Sequence, residues 1–248
     1  MHPVNFFTEL FMIALIDCRA SEKALSALKN IGAEVYLLPP SPSLQTGVAS
    51  HTDMIIFIGF GRLFCHESYY ENNKELLDTI AKKGGLTLSV SNEEWSQNYP
   101  NDVLFNACIV GNKLVCNSKT VSKDILLTAS KEGYEIINVN QGYTKCSVCI
   151  VCENAIITSD KNIEKSCKNA GIDVLSISEG HISLPPYDFG FIGGTCGSYN
   201  DQVFFCGSLS SHPNGDHIRN FCLKHGKSAV SLSDNELQDV GSIFFIGE

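Results

Sequence analysis

The chain has 248 residues, 44% of them hydrophobic and 18% charged, the composition of a globular protein able to bury roughly 70–75% of its unfolded surface. Its formal charge is −9 with only three arginines, Arg19, Arg62 and Arg219, a surface that repels phosphate backbones and makes a nucleic-acid partner unexpected. Residues 1–10 carry no Lys or Arg and no apolar run approaches the roughly 18 residues of a membrane span, so a cytoplasmic protein with no membrane partner and reduced cysteines is expected.

Along the chain the same series of elements recurs. An apolar strand ending Ile16-Asp17-Cys18 leads to a helix over residues 21–31, with Ala24, Leu25 and Leu28 on one face, then Gly32 and a second strand over 33–38. A Pro- and Ser-rich connection, 39–50, follows. The second unit opens at Asp53-Met54-Ile55-Ile56-Phe57 and passes through Leu63-Phe64-Cys65. It continues with a helix at 71–83, Gly84 and a strand at 86–91, and a connection at 92–100 holds the only tryptophan, Trp95.

The third unit opens at Asp102-Val103-Leu104-Phe105, reaches Leu114-Val115-Cys116, and has its helix at 119–132, Gly133 and a strand at 134–140. The fourth opens at Cys146-Ser147-Val148-Cys149, reaches Ile156-Ile157-Thr158, and has a helix at 160–170, Gly171 and a strand at 172–178. After a connection at 179–187, the fifth opens at Asp188-Phe189-Gly190-Phe191 and reaches Phe204-Phe205-Cys206. Its helix is expected at 213–225, with Pro213 in the first position and Ser211 or His212 as cap, followed by Gly226 and a strand at 228–233. Asp239-Val240-Gly241-Ser242 then opens a strand with no helix after it, while the first helix has no such strand before it.

Pairing the two ends repairs both gaps. The fold expected is one α/β domain over residues 1–248, a five-bladed ββαβ propeller with pseudo-fivefold symmetry, closed by its N- and C-terminal strands. Its units are 11–38 with 239–248, 53–91, 102–140, 145–178 and 188–233.

A ring of five ββαβ units resembles the pentein superfamily, the fold of the guanidino-group-modifying enzymes, over about residues 11–248. The likeness is strongest to a clostridial-type branch of it. Similar families include arginine deiminase, dimethylarginine hydrolase, agmatine deiminase and amidinotransferases, with a ribosome anti-association factor as a non-catalytic relative. The resemblance implies a Cys nucleophile in the closing strand, but Ile243 or Phe244 falls there. It implies a His opening the fourth unit, where Lys145-Cys146-Ser147 stands, and an acid at Tyr99. The usual catalytic letters are therefore missing.

If the unit openings face a common axis, Asp53, Asp102, Asp188 and Asp239, with Lys145 beside Cys146, would line a cavity suited to a small cationic metabolite. The alternative for each Asp is a local turn, its carboxylate accepting nearby backbone N–H groups. A second function is an enzyme on a guanidino substrate with a relocated site of Cys146, His51 and Asp102, the thiolate favoured by neighbouring Lys145. A third is an interaction scaffold like the ribosome factor.

The run Cys146, Cys149, Cys152 has C-x-x-C spacing, but strand residues three apart face opposite sides, so no metal is expected. No cofactor motif stands out. Gly193-Gly194-Thr195-Cys196-Gly197 lacks a following helix and reads as a glycine-rich hairpin flap rather than a phosphate cradle. The sequence leaves open whether the axial cavity is open or plugged by Phe57, Phe191 and Phe244.

Overall fold

The structure, a computed structural model, describes residues 12–247. The start at residues 1–10 and the expected unit ends at 11 and 248 lie outside them. Five three-stranded sheets surround a common centre, each with an inner strand antiparallel to a middle strand and an outer strand parallel to the middle one.

The first blade joins both ends of the chain. Its middle strand Met12–Asp17 pairs with the outer strand Glu34–Leu38 and with the C-terminal inner strand Phe244–Gly247, in the register Met12↔Gly247 to Leu15↔Phe244. In the second to fifth blades the inner strands are Ile56–Gly59, Cys108–Val110, Cys149–Cys152 and Cys196–Tyr199. Their middle strands are Arg62–His66, Lys113–Cys116, Ala155–Thr158 and Gln202–Phe205.

A helix crosses from each middle strand to its parallel outer strand: Glu22–Asn30, Lys74–Lys83, Lys123–Lys131, Lys161–Asn169 and Gly215–Lys224. Their buried faces, such as Ala24 and Leu28 or Ile163 and Cys167, pack against the sheets. The expected helices differ mainly at their ends, for local reasons. In the second blade Asn73 breaks the run, so a short helix Glu67–Asn72 precedes the long one. In the third, Ser122 accepts from Asp124 N–H and starts the helix four residues late. The last helix begins at Gly215 after Asn214, while His212 Nδ1 accepts from Asn214 N–H; neither Ser211 nor Pro213 takes the expected cap or first position.

The larger correction concerns the inner strands. The expected openings at Asp53, Asp102, Cys146, Asp188 and Asp239 precede the strands, which start at Ile56, Cys108, Cys149, Cys196 and Phe244. In between, the chain makes a helical turn at Thr52–Ile55, another at Thr144–Ser147 and a 3-10 turn at Gly193–Thr195. Met54 and Ile55 suit a strand locally, whereas Lys145, Ser147 and the Gly193–Gly194 pair do not, and tertiary packing sets the turns. No helix among the described residues is long and apolar enough to cross a membrane.

The helix caps give a direct check on the blade assignment. Asp160 Oδ1 accepts from both Asn162 and Ile163 N–H at 2.8 Å. Asp160→Ala is expected to cost about 1 kcal/mol in urea unfolding with an unchanged slope; a neutral result would contradict the cap.

Candidate functional site at the propeller axis

The turns that precede the inner strands meet at the centre. Asp53, on the turn Thr52–Ile55, is fully buried and each carboxylate oxygen has a partner. Cys146 Sγ donates to Oδ1 at 3.2 Å and Ser242 Oγ to Oδ2 at 2.6 Å. Ser242 in turn accepts from the Lys145 ammonium at 2.7 Å, which also reaches the Gly193 carbonyl at 3.3 Å. A buried cation is thus linked to a buried carboxylate through one hydroxyl. Ser242 has φ +72, a left-handed conformation that costs a side-chain-bearing residue energy, held here by both bonds.

Asn106 ties three blades to this relay. Its amide N–H groups point to the Asp53 carbonyl at 3.0 Å and to Cys146 Sγ at 3.1 Å. Its Oδ1 accepts the backbone N–H of Lys145 at 2.6 Å and of Cys146 at 3.2 Å. Gly193 and Gly194 make the close approach possible. A Cβ on Gly193 would stand 2.3 Å from the Lys145 carbonyl, and one on Gly194 would stand 1.9 Å from Asp239 Oδ1. The expected flap at 193–197 is therefore the tightest buried crossing of the axis, where only glycine fits.

A second buried group lies beside the relay. His51 Nδ1 is 3.7 Å from Asp239 Oδ1 and its Nε2 3.9 Å from Asp17 Oδ2, neither close enough for a hydrogen bond. Asp239 accepts instead from the N–H of Phe191 at 2.8 Å and of Gly241 at 2.9 Å. Asp17 is gripped by Arg19, Nε to Oδ1 at 3.0 Å and Nη2 to Oδ2 at 2.7 Å, and by Ser50 Oγ at 2.8 Å. The same guanidinium donates to the Thr46 and Gly47 carbonyls, anchoring the connection over 39–50 to the centre.

Charge states follow from these partners. Burial opposes the Lys145 charge, but Cys196 and Asp53 hold its pKa above the ordinary value. Burial works to raise Asp17, and the Arg19 fork outweighs it, leaving the carboxyl below its usual range. Burial lowers His51 despite Asp53 and Asp17, so the ring is neutral at neutral pH. It raises Asp53, and it pushes Asp239 up to about 6 even with two N–H donors. Burial, with Asp53 and Asp239, drives the Cys146 thiol well above its ordinary value.

Several expectations change. Cys146, His51 and Asp102 form no shared hydrogen-bonded site: Cys146 donates to Asp53, His51 faces Asp17 and Asp239, and Asp102 accepts from Tyr143. Lys145 does not activate Cys146, because its ammonium extends to Ser242 and Gly193. Asp188 lies exposed in the connection before the fifth blade and lines no axis, since that inner strand begins only at Cys196. Cys146 belongs to a helical turn, not a strand, and among the described residues no group of three or more His, Cys, Asp or Glu is placed to hold a metal.

Asp102 sits apart, beneath aromatic rings. It is 3% exposed; Tyr143 donates to its Oδ2 at 2.6 Å, while Oδ1 is buried without a hydrogen-bond partner. Tyr143 lies between Tyr99, 6.0 Å away by ring centroids, and Phe191, stacked at 6.3 Å. Phe191 thus belongs to this aromatic group and does not plug the axis, whereas Phe57 and Phe244 do line it. Tyr99 is 53% exposed and presses on Gly142, where a Cβ would stand 2.5 Å from the ring. Burial raises the Asp102 pKa against hydrogen bonds from Tyr143 and from its own backbone N–H.

The sequence over residues 15–244 matches the family of unknown function DUF6873. The chain belongs to that family. No curated protein matches it by sequence. Solved structures of similar shape include DDAH from Pseudomonas aeruginosa in complex with citrulline, with a TM-score of 0.57 at 10% identity, covering 91% of this chain and 92% of that one. Agmatine deiminase from C. jejuni gives 0.53 at 10% identity, covering 92% of both chains. The amidinotransferase SxtG from Microseira wollei gives 0.54 at 8% identity, covering 84% of this chain and 72% of its own. The fold of this DUF6873 member is that of the penteins.

The central ionisation has a measurable consequence. A carboxyl whose native pKa lies above its unfolded one stabilises fully below the unfolded value, and that contribution is lost as pH rises through the native value. For Asp239 the window runs from 3.8 to about 6. Asp239→Asn is expected to remove a fall in unfolding free energy on the order of 2–3 kcal/mol across that window. Urea titrations at pH 4, 5 and 6 check it; equal slopes in both chains would contradict the assignment.

Proposed function

We propose that this protein binds a small molecule carrying a cationic amino or guanidino group at the aromatic cluster around Asp102, without hydrolysing it. The observation that carries the reading is the Asp102 Oδ1 atom, buried beside an aromatic cluster with no hydrogen bond from any other residue. A buried carboxylate oxygen left unpaired costs free energy that a ligand N–H would recover. Exposed Tyr99 and partly exposed Phe191 supply aromatic surface for the same cation. A net charge of −9 favours its approach.

The axis itself suits such a ligand less well. Asp53 is satisfied by Ser242 and Cys146, Asp239 by backbone N–H groups, and the Lys145 ammonium already supplies a positive charge there. The thiol nearest the carboxylates is held protonated, which supports binding without covalent catalysis. The fold's likeness to DDAH, agmatine deiminase and an amidinotransferase supports a guanidino compound as the ligand class.

A thermal-shift panel of arginine, agmatine, methylarginines, guanidine and polyamines tests this, with released ammonia and urea measured in the same wells. A ligand at 100 times its dissociation constant should stabilise the chain by about 2.7 kcal/mol, a shift of several degrees. Asp102→Asn is expected to abolish the shift while keeping the melting transition, and no product is expected. A shift that survives in Asp102→Asn, or none with any compound, would overturn the reading; product would favour the alternative enzyme.

A further inference from the structure

The peptide bond between Gly241 and Ser242 lies where the relay meets the closing strand, and the groups on both sides of it are held. Gly241 has φ +65 and Ser242 φ +72, two successive residues in the left-handed region. Glycine adopts that conformation freely, whereas serine does so at an energetic cost. The surroundings prevent the cost from relaxing. A Cβ on Gly241 would stand 2.2 Å from His51 Cβ, so the buried histidine walls the bond on one side. On the other, the Ser242 N–H donates to the Gly194 carbonyl at 2.8 Å and the Ile243 N–H to the Cys196 carbonyl at 3.0 Å. Backbone strain over-determined in this way clusters at reactive sites.

The same bond carries the parts of an acyl-transfer site. Attack of Ser242 Oγ on the Gly241 carbonyl carbon closes a five-membered ring and needs no second molecule. The hydroxyl proton is directed to Asp53 Oδ2 at 2.6 Å, the nearer and charged acceptor, while the Gly193 carbonyl lies at 2.9 Å. The Lys145 ammonium donates to that oxygen at 2.7 Å and steadies negative charge on it. The Gly241 carbonyl oxygen accepts the Asp53 backbone N–H at 3.0 Å, the distance of an oxyanion donor. Asp53 thus addresses the bond twice, with its carboxylate at the nucleophile and its N–H at the carbonyl. Burial raises the Asp53 pKa, so it takes a proton more readily than a solvated carboxylate does.

We propose that the Gly241–Ser242 bond is a self-cleavage site, with Ser242 as nucleophile and Asp53 as base. Ser242 Oγ bonds to the Gly241 carbonyl carbon as its proton passes to Asp53, and the carbonyl oxygen takes the displaced electron pair beside the Asp53 N–H. The carbon–nitrogen bond then breaks, the Ser242 nitrogen takes the proton back from Asp53, and an ester replaces the amide. Freeing the nitrogen releases the left-handed constraint at Ser242. Water attacks the ester carbonyl, which leaves a carboxylate on Gly241 and restores the Ser242 hydroxyl on a residue that now has a free amine. Nothing is oxidised or reduced. The released segment stays seated, because Phe244–Gly247 remains paired with Met12–Leu15.

The test incubates the folded, full-length chain at neutral pH with and without hydroxylamine, then denatures it and determines intact masses. The expected result is a chain ending at Gly241 and a peptide beginning at Ser242, formed at a rate independent of protein concentration. Hydroxylamine should raise the yield at that bond by trapping the ester as a Gly241 hydroxamate. Ser242→Ala is expected to stay intact, and Asp53→Asn to cleave more slowly by on the order of 100-fold. A single uncut mass for the wild-type chain in both arms, cleavage confined to Asn214–Gly215, hydroxylamine's ordinary target, or a rate that rises with protein concentration would each overturn the proposal. The wild-type arms decide it where a variant does not fold.

Discussion

A buried ammonium joined to a buried carboxylate through one hydroxyl is the constraint on which the centre of this propeller depends. Lys145, Ser242 and Asp53 come from three different blade entries, so their hydrogen bonds fix how those entries meet. Neither ion would be tolerated there alone, because desolvation of an unpaired charge costs several kcal/mol. Ser242 donates to the anion and accepts from the cation, a role that a single hydroxyl fills and a second charge would not. Asn106 then satisfies the backbone around the pair with its one amide.

The same relay separates two chemically different ends of the axis. On one side Tyr99, Tyr143 and Phe191 gather around the unpaired oxygen of Asp102. On the other the inner strands enclose an apolar cavity containing Lys145 and Cys196. Positive charge from Lys145 disfavours a cation in that cavity. On the other side the unpaired Asp102 oxygen lies against aromatic rings.

The blade repeat was legible in the sequence because it is written in local physics. Helical spacing in segments such as Ala24–Leu28, and glycines after helices, mark each unit, and Gly32, Gly133, Gly171 and Gly226 do adopt positive φ. In the second blade Gly85 takes that conformation one residue after the expected Gly84. The site was less legible. The recurring Asp letters suggested equivalent axial positions, but the approaches to the inner strands differ in length, leaving Asp53 and Asp239 at the centre, Asp102 beneath the aromatics and Asp188 in solvent. Asn106 offered one signal, a polar residue inside the apolar run Leu104–Ala107. Arg19, two residues after Asp17, offered another. Ser242 offered none, since its partners are 97 and 189 residues away.

The most direct measurement is a double-mutant cycle on the relay, with Lys145→Met, Asp53→Asn and the double variant compared by urea unfolding at pH 7. Removing one partner leaves a buried charge uncompensated, so each single change is expected to cost about 3 kcal/mol or more. The double change should cost clearly less than their sum, with a coupling of about 1 kcal/mol or more. Additive effects, or a Lys145→Met chain as stable as the wild type, would contradict the central role of the pair.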